Sequence, residues 1–326
     1  MDVKKEIIPV LGTKTGKQLI ADTEEMERIL LSVCDDAGRH RDDLRRIVGA
    51  GGKRLRPMLA WVCWHMTGRK TEIVPLMCML ELMHTSSLIH DDFVDNAPER
   101  RGVETISHAH GGTAAHECGD FLLAKAMEFL ETYRGTGINE ALSVVAQEMA
   151  FGELDQRAGL YRIRDLQTEQ YLLRIKRKTA LLMSECCRSG AVAGGADKET
   201  AEAFRRYGEY LGMSFQIRDD LLDWRTEGNT GKSPLADLND GVMTLPVIYA
   251  AEKADGHLAD IIEKREKSDE ELEAVINAVR SSGALEKTAE KQRYMSDKAA
   301  DALAGSKDSP EKRALLLLCR EIGRQC

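Results

Sequence analysis

The chain of 326 residues sets 46 Lys and Arg against 54 Asp and Glu, a net charge of −8 with both signs spread along its length. That balance leaves no broad basic surface and argues against nucleic acid as the main partner. Few aromatic residues, only 7 Pro, and long stretches of Ala, Leu, Glu, Lys and Met without alternating Val/Ile/Thr runs predict an all-α helical bundle, in a single domain over 1–326.

In chain order, an acidic amphipathic helix is expected near 21–47, followed by a Gly-Ala-Gly-Gly break at 49–52. A basic cluster comes at once, Lys53, Arg54 and Arg56, and then Pro57, which suits a helix's first turn. Helical runs cover about 57–67, 71–95, 113–134, 138–158, 165–193 and 197–225. The Gly- and Asn-bearing stretch 226–237 predicts a mobile flap. From about 240 onward the chain reads as shorter charge-rich helices, with good starts at the capping box Ser268-Asp269-Glu270-Glu271 and at Ser309-Pro310-Glu311.

The eight cysteines (Cys34, Cys63, Cys78, Cys118, Cys186, Cys187, Cys319, Cys326) include no Cys-x-x-Cys, and several sit in apolar runs, so they read as reduced, buried thiols. The opening Met1-Asp2-Val3-Lys4-Lys5-Glu6 has no apolar core of signal-peptide length, and no stretch approaches the ~18 apolar residues of a membrane span. The expectation is a soluble, cytoplasmic protein.

Two helical runs end in the same pattern, Asp91-Asp92-Phe93-Val94-Asp95 and Asp219-Asp220-Leu221-Leu222-Asp223. On a helix the first and last Asp of each motif stand one turn apart and the middle one about 100° round, so all three point to one side. Most acidic residues of such a chain are solvated helix faces, but these six close mostly apolar runs. Carboxylates this close repel one another unless a cation neutralises them, and hard oxygen donors without His or Cys favour Mg²⁺ or Mn²⁺ over zinc. Because Mg²⁺ commonly shares its shell with phosphate, the ligand implied is a phosphate ester or diphosphate. Cations suited to diphosphate stand in compact sets: Lys53 and Arg56, Arg100 and Arg101, Lys178, and Lys232 in the flap. His84 lies two turns before Asp91 on the same face, whereas His108, His110 and His116 make no helix-compatible metal pair and read as structural.

Taken together the motifs resemble the trans-isoprenyl diphosphate synthases, all-α prenyltransferases. The resemblance covers about 50–250: Gly51-Gly52-Lys53-Arg54-Leu55-Arg56-Pro57, His84 to Asp95, Arg100-Arg101-Gly102, Gly119-Asp120, Gly152-Glu153, Lys178-Thr179, and Phe215 to Asp223. It implies an isoprenoid-synthase-type bundle around a central cavity, with both aspartate motifs at its mouth and three Mg²⁺ gripping an allylic diphosphate. It implies a homodimer that condenses isopentenyl diphosphate with that allylic partner. By position, Asp91, Asp92, Asp95, Asp219, Asp220 and Asp223 match the metal ligands, and Asp91, Asp92, Lys178 and Asp219 the catalytic set. Lys53, Arg56, His84 and Arg101 match the isopentenyl diphosphate site, and Arg100, Lys178, Gln216 and Lys232 the allylic side.

The family's chain-length position, five before the first Asp, is Ser86, with Ser87 beside it and Met83 a turn deeper. Small side chains there leave the floor open and predict products longer than geranylgeranyl. Where the family usually reads Gly-Lys-x-Thr-x-Pro, this chain reads Gly241-Val242-Met243-Thr244-Leu245-Pro246. The missing Lys predicts weak binding of the allylic primer or preference for a longer one, unless Lys232 or Arg225 compensates; the other reading is that the position tolerates Val because the remaining cations and three Mg²⁺ suffice. Two other readings compete. A class I terpene cyclase would not carry a full second aspartate motif or need Lys53 and Arg56. A non-catalytic or regulatory subunit of a heteromeric synthase typically loses a motif that this chain keeps.

Overall fold

A computed structural model of the protein describes residues 3–224, 235–253 and 256–324. The helices, in chain order, are α1 Val3–Leu11, α2 Thr13–Cys34, α3 Arg41–Gly49, α4 Leu55–Thr67, α5 Val74–Val94, α6 Ile106–His110, α7 Gly112–Glu128, α8 Ile138–Ala158, α9 Thr168–Ile175, α10 Leu181–Gly194, α11 Lys198–Leu222, α12 Ala236–Asn239, α13 Leu245–Ala251, α14 Gly256–Ile262, α15 Asp269–Ser281, α16 Ala284–Ala302 and α17 Pro310–Gly323. The all-α expectation holds among the described residues apart from one short ribbon, β1 Glu99–Arg100 against β2 Val103–Glu104.

The chain forms two compact units. The first comprises Met1–Ala141, Cys186–Phe204 and Ser306–Leu317. Its axis is α5, whose Leu76, Met77, Met79, Leu80 and Leu82 are fully buried, and which packs against α2, α4 and α7. A helix apolar on every side is stable only when surrounded, which is why α5 lacks a solvated face over most of its length. The second unit comprises Leu142–Glu185, Arg205–Gly305 and Leu318–Cys326. Its core gathers Tyr171, Ile217, Leu245, Val247, Ile262, Val275 and Val279.

Element ends differ from the sequence expectation where local chemistry intervenes. The opening run is two helices, broken after Cys34 by Asp35-Asp36-Ala37-Gly38, where Gly38 takes a positive φ of 56°. Run 113–134 ends as α7 at Glu128 and continues as a 3₁₀ turn, Phe129–Tyr133. The ribbon turns on Arg101 and Gly102, both at positive φ (54° and 76°), the conformation of a two-residue hairpin loop. Run 165–193 contains a π-helical turn, Lys176–Ala180, between α9 and α10.

The capping box forms as expected: Ser268 Oγ accepts the Glu271 N–H at 3.3 Å, and Glu271 Oε2 accepts the Ser268 N–H at 3.1 Å. The described cysteines are free and buried. No helix among the described residues is long and apolar enough to cross a membrane.

Candidate active site

Helix α5 runs to Val94, and the Asp95 N–H donates to Asp91 O at 2.8 Å, so the first aspartate motif occupies a final helical turn. Helix α11 ends the same way, with Asp223 N–H reaching Asp219 O at 3.3 Å. Three carboxylates at a helix C-terminus oppose the macrodipole, which favours cations there. Both motifs are therefore places where the fold tolerates negative charge that a bound cation would relieve.

In the first motif Asp92 is buried and accepts a hydrogen bond from Arg100 Nε, on the ribbon. Burial holds the Asp92 carboxyl above its ordinary pKa, with Arg100 opposing. The neighbouring basic set is built on Arg54, in left-handed conformation (φ 46°) just after the glycines. Its guanidinium is buried and makes four hydrogen bonds: Nε and Nη2 each reach a Glu27 carboxylate oxygen at 2.8 Å, Nη1 reaches Glu81, and Nη2 also reaches Val48 O at 2.8 Å. Arg54 thus anchors the segment carrying Lys53 and Arg56 to α2 and α5, with four of its five donors engaged within the protein.

Arg56 Nη1 lies 2.9 Å from His84 Nε2, and Arg101 Nη1 donates to Gly51 O. Burial, then the charges of Arg56, Arg101, Arg100 and Arg54, push the His84 imidazole well below its usual pKa. Burial likewise lowers Arg101, opposed by Glu81 and reinforced by Arg54, Arg100 and Arg56. Arg56, His84, Arg100 and Arg101 therefore share one cationic neighbourhood, suited to a dianionic group; Lys53 is exposed at its edge.

In the second unit Asp220 is buried, and both of its oxygens are engaged. Tyr171 Oη donates to Oδ2 at 2.6 Å and Gln216 Nε2 to Oδ1 at 3.0 Å. Gln216 Oε1 in turn accepts from Thr179 Oγ1 at 2.8 Å. Burial first, then the charge of Asp237, pushes the Asp220 carboxyl up to about 7, against the pull of its hydrogen bonds and of Arg174. Asp223 Oδ2 accepts the Asp237 N–H at 3.3 Å. Lys178 pairs with Glu153 at 2.9 Å from within the π-turn. That turn fits because Gly152 of α8 approaches it closely: a Cβ there would lie 2.8 Å from the Lys178 nitrogen. A one-residue π-bulge rotates the following side chains relative to a straight helix, as happens frequently at functional sites.

The sequence points to Gln216 and Lys178, and to Arg54 only as one of a basic cluster; it does not single out Tyr171, Arg174 or Asp237. Tyr171 and Arg174 stand seven and four residues before Lys178, a helical spacing that could have flagged them. Lys232 and Arg225, and most of the expected flap, lie outside the described residues. Of the chain-length set, Met83 is buried, Ser86 is buried with its hydroxyl on Gly119 O at 2.8 Å, and Ser87 bonds its own helix at His84 O. His110 pairs with Asp43 at 2.9 Å and His108 faces Glu104.

Among the described residues no three His, Cys, Asp or Glu side chains converge on one point. The donors nevertheless suit Mg²⁺, which takes one or two carboxylates and fills its remaining positions with water and phosphate oxygen. A ready cage of three carboxylates is not required.

Residues 40–279 match the polyprenyl synthetase family. The chain belongs to that family. It is 35% identical over 310 residues to heptaprenyl diphosphate synthase component 2 of Geobacillus stearothermophilus, covering 94% of this chain and 95% of that protein. It is 33% identical over 275 residues to octaprenyl diphosphate synthase of Escherichia coli (strain K12), covering 83% and 85%. Among solved structures, it is similar to a decaprenyl diphosphate synthase from Rhodobacter capsulatus (TM-score 0.88, 29% identity, 95% of this chain and 98% of that one). A polyprenyl synthase from Caulobacter crescentus complexed with calcium and isoprenyl diphosphate matches equally well (TM-score 0.88, 30% identity, 96% and 97%). This polyprenyl synthetase family member has the helical isoprenoid-synthase fold and is a chain-elongating prenyltransferase.

Proposed function

We propose that the protein condenses isopentenyl diphosphate with an allylic diphosphate in the presence of Mg²⁺ to give an all-trans polyprenyl diphosphate longer than geranylgeranyl. The observation that carries this reading is the placing of Asp91, Asp92 and Asp95, and of Asp219, Asp220 and Asp223, in the last turns of α5 and α11, against the helix dipole. That the Caulobacter crescentus polyprenyl synthase is complexed with calcium and isoprenyl diphosphate supports a divalent cation and a prenyl diphosphate as ligands here.

These six aspartates hold Mg²⁺, three per site by resemblance, and the metal supplies neutralising charge to the departing diphosphate when bound. Arg100 and Lys178 add cations on the allylic side, with Lys232, and Gln216 fixes the orientation of Asp220. Lys53, Arg56 and Arg101 bind the isopentenyl diphosphate, and His84 accepts from Arg56 and aims it. The apolar residues of α5 keep water from the allylic cation, whose quenching would end the reaction. The small Ser86 and Ser87, and relatives named for hepta-, octa- and decaprenyl products, support a long chain. Both compact units form one catalytic domain, acting as a cytoplasmic homodimer.

The test is purified protein with Mg²⁺, isopentenyl diphosphate and each allylic primer in turn, with dephosphorylated products identified by mass. Products longer than geranylgeraniol are expected; no product from any primer overturns the reading. A second reading has its own support, because relatives from Geobacillus stearothermophilus and Bacillus subtilis are named component 2. In it this chain is one component of a two-component synthase, inactive alone and restored by a separate subunit.

A further inference from the structure

Arg174 is a buried cation with an incomplete set of partners. It is only 5% exposed, and its hydrogen bond to the protein runs from Nη2 to Met243 O at 2.5 Å. Its guanidinium carbon stands 5.4 Å from the centre of the Tyr171 ring, one helical turn back on α9. Among the described residues no carboxylate forms an ion pair with it, in contrast to buried Arg54, which pairs with both Glu27 and Glu81. A guanidinium carries five N–H donors; the Asp220 carboxylate feels its charge, yet most of those donors have no acceptor among the described residues and can take up a further anion.

Its position says which anion. Met243 follows Val242, the place where the family resemblance calls for a Lys toward the allylic diphosphate. Tyr171, under the guanidinium, donates to Asp220 of the second aspartate motif. Four residues on, in the π-turn that continues α9, is Lys178. Backbone contact with the segment of the missing cation, and proximity to the motif that would meet a diphosphate, converge on one side chain.

Resting on the function proposed above, we propose that Arg174 supplies, from α9, the positive charge toward the allylic diphosphate that Val242 lacks. The cation has moved from the segment after the flap to the helix packed against it. A fork of N–H donors suits phosphate oxygens at least as well as an ammonium does. The departure at Val242 then costs the enzyme no affinity for its primer.

Three variants decide the matter, read by calorimetric titration of inorganic diphosphate at excess Mg²⁺ and by the separate KM values for allylic and isopentenyl diphosphate. Arg174→Met should weaken inorganic diphosphate binding about ten- to hundredfold and raise the allylic KM alone. Adding Val242→Lys to it should bring affinity back to within about threefold of the parent, and Val242→Lys alone should tighten binding by less than about threefold. The proposal is overturned if Arg174→Met leaves affinity and allylic KM unchanged, if both KM values move equally, or if the double variant recovers nothing. Should Arg174→Met fail to fold, Val242→Lys decides: tightening of about tenfold or more would mean that the charge had been absent. A parent protein that makes no product from any primer defeats the functional reading instead, and the titration separates the two failures.

Discussion

The phenol of Tyr171 and the carboxylate of Asp220 meet at 2.6 Å in the second unit, and both residues are buried. Asp220 has Gln216 on its other oxygen, so the middle carboxylate of the second motif is held in one rotamer by two donors from two helices. Asp219 and Asp223 take their directions from the turn that this clamp fixes. Tyr171→Phe leaves Oδ2 buried without its donor, which costs about 1–3 kcal/mol of stability. We expect a lower melting temperature, a several-fold rise in the Mg²⁺ concentration for half-maximal turnover, and unchanged KM for isopentenyl diphosphate. A variant that loses stability alone, with the Mg²⁺ dependence of the parent, would reduce Tyr171 to a packing residue.

The metal assignment is tested more directly at the outer carboxylates. Asp91→Ala and Asp219→Ala each remove an anion from a helix C-terminus, so helix content should hold. Turnover should nevertheless fall at least ~10²-fold, because stabilisation of the leaving diphosphate is lost. Circular dichroism beside steady-state turnover at saturating Mg²⁺ checks both halves. Near-parent rates in either variant would remove that motif from the metal site.

Most of this architecture was legible in the sequence because it rests on period and punctuation. Apolar positions at helical spacing, the Gly-Ala-Gly-Gly break and the box at Ser268 each produce their structure locally. The π-turn at Lys176–Ala180 was not legible: it depends on α8 approaching through Gly152 and on α11 presenting Gly212 to Ala180, contacts between segments far apart in sequence. The ribbon was missed because Arg101 adopts a positive φ that its residue type disfavours, with Gly102 beside it completing the turn. Arg54 and Arg174 show the limit most plainly. Both are arginines on basic, helical sequence, and only the fold shows that one is paired with Glu27 and Glu81 while the other lacks an ion-pair partner among the described residues.

Product length separates two adjacent serines. Ser86 is 3% exposed and its hydroxyl reaches across to Gly119 O on α7, so a larger side chain there must push two helices apart. Overpacking of that kind costs about 1–3 kcal/mol. Ser87 is only half-buried and bonds within its own helix, so it accommodates a ring with less strain. Both Ser86→Phe and Ser87→Phe should shorten the product ladder, with a fall in melting temperature for Ser86→Phe alone. Mass analysis of dephosphorylated products checks the lengths; an unchanged ladder in both variants places the floor deeper, at Met83 or beyond.

His84 gives the site a pH signature. In the ligand-free protein its imidazole stays neutral well below the usual 6.5, held there by burial and by the charges of Arg56, Arg101 and Arg100. A neutral ring can accept from Arg56 through Nε2, the contact found at 2.9 Å, and so leaves Nδ1 as the protonated nitrogen. Unfolding exposes a His of ordinary pKa, which takes up a proton as pH falls below 6.5 while the folded protein does not. Stability conferred by the neutral ring is thus complete above 6.5 and is lost on acidification, with a slope of up to about 1.4 kcal/mol per pH unit. His84→Gln should flatten that part of the denaturation profile. Bound diphosphate reverses the local field, because its charge offsets the arginines that disfavour imidazolium. Binding of isopentenyl diphosphate near pH 6 should then take up a proton, seen as a dependence of calorimetric enthalpy on the buffer's heat of ionisation. The dependence should vanish in His84→Gln; if it persists there, the proton belongs to another group.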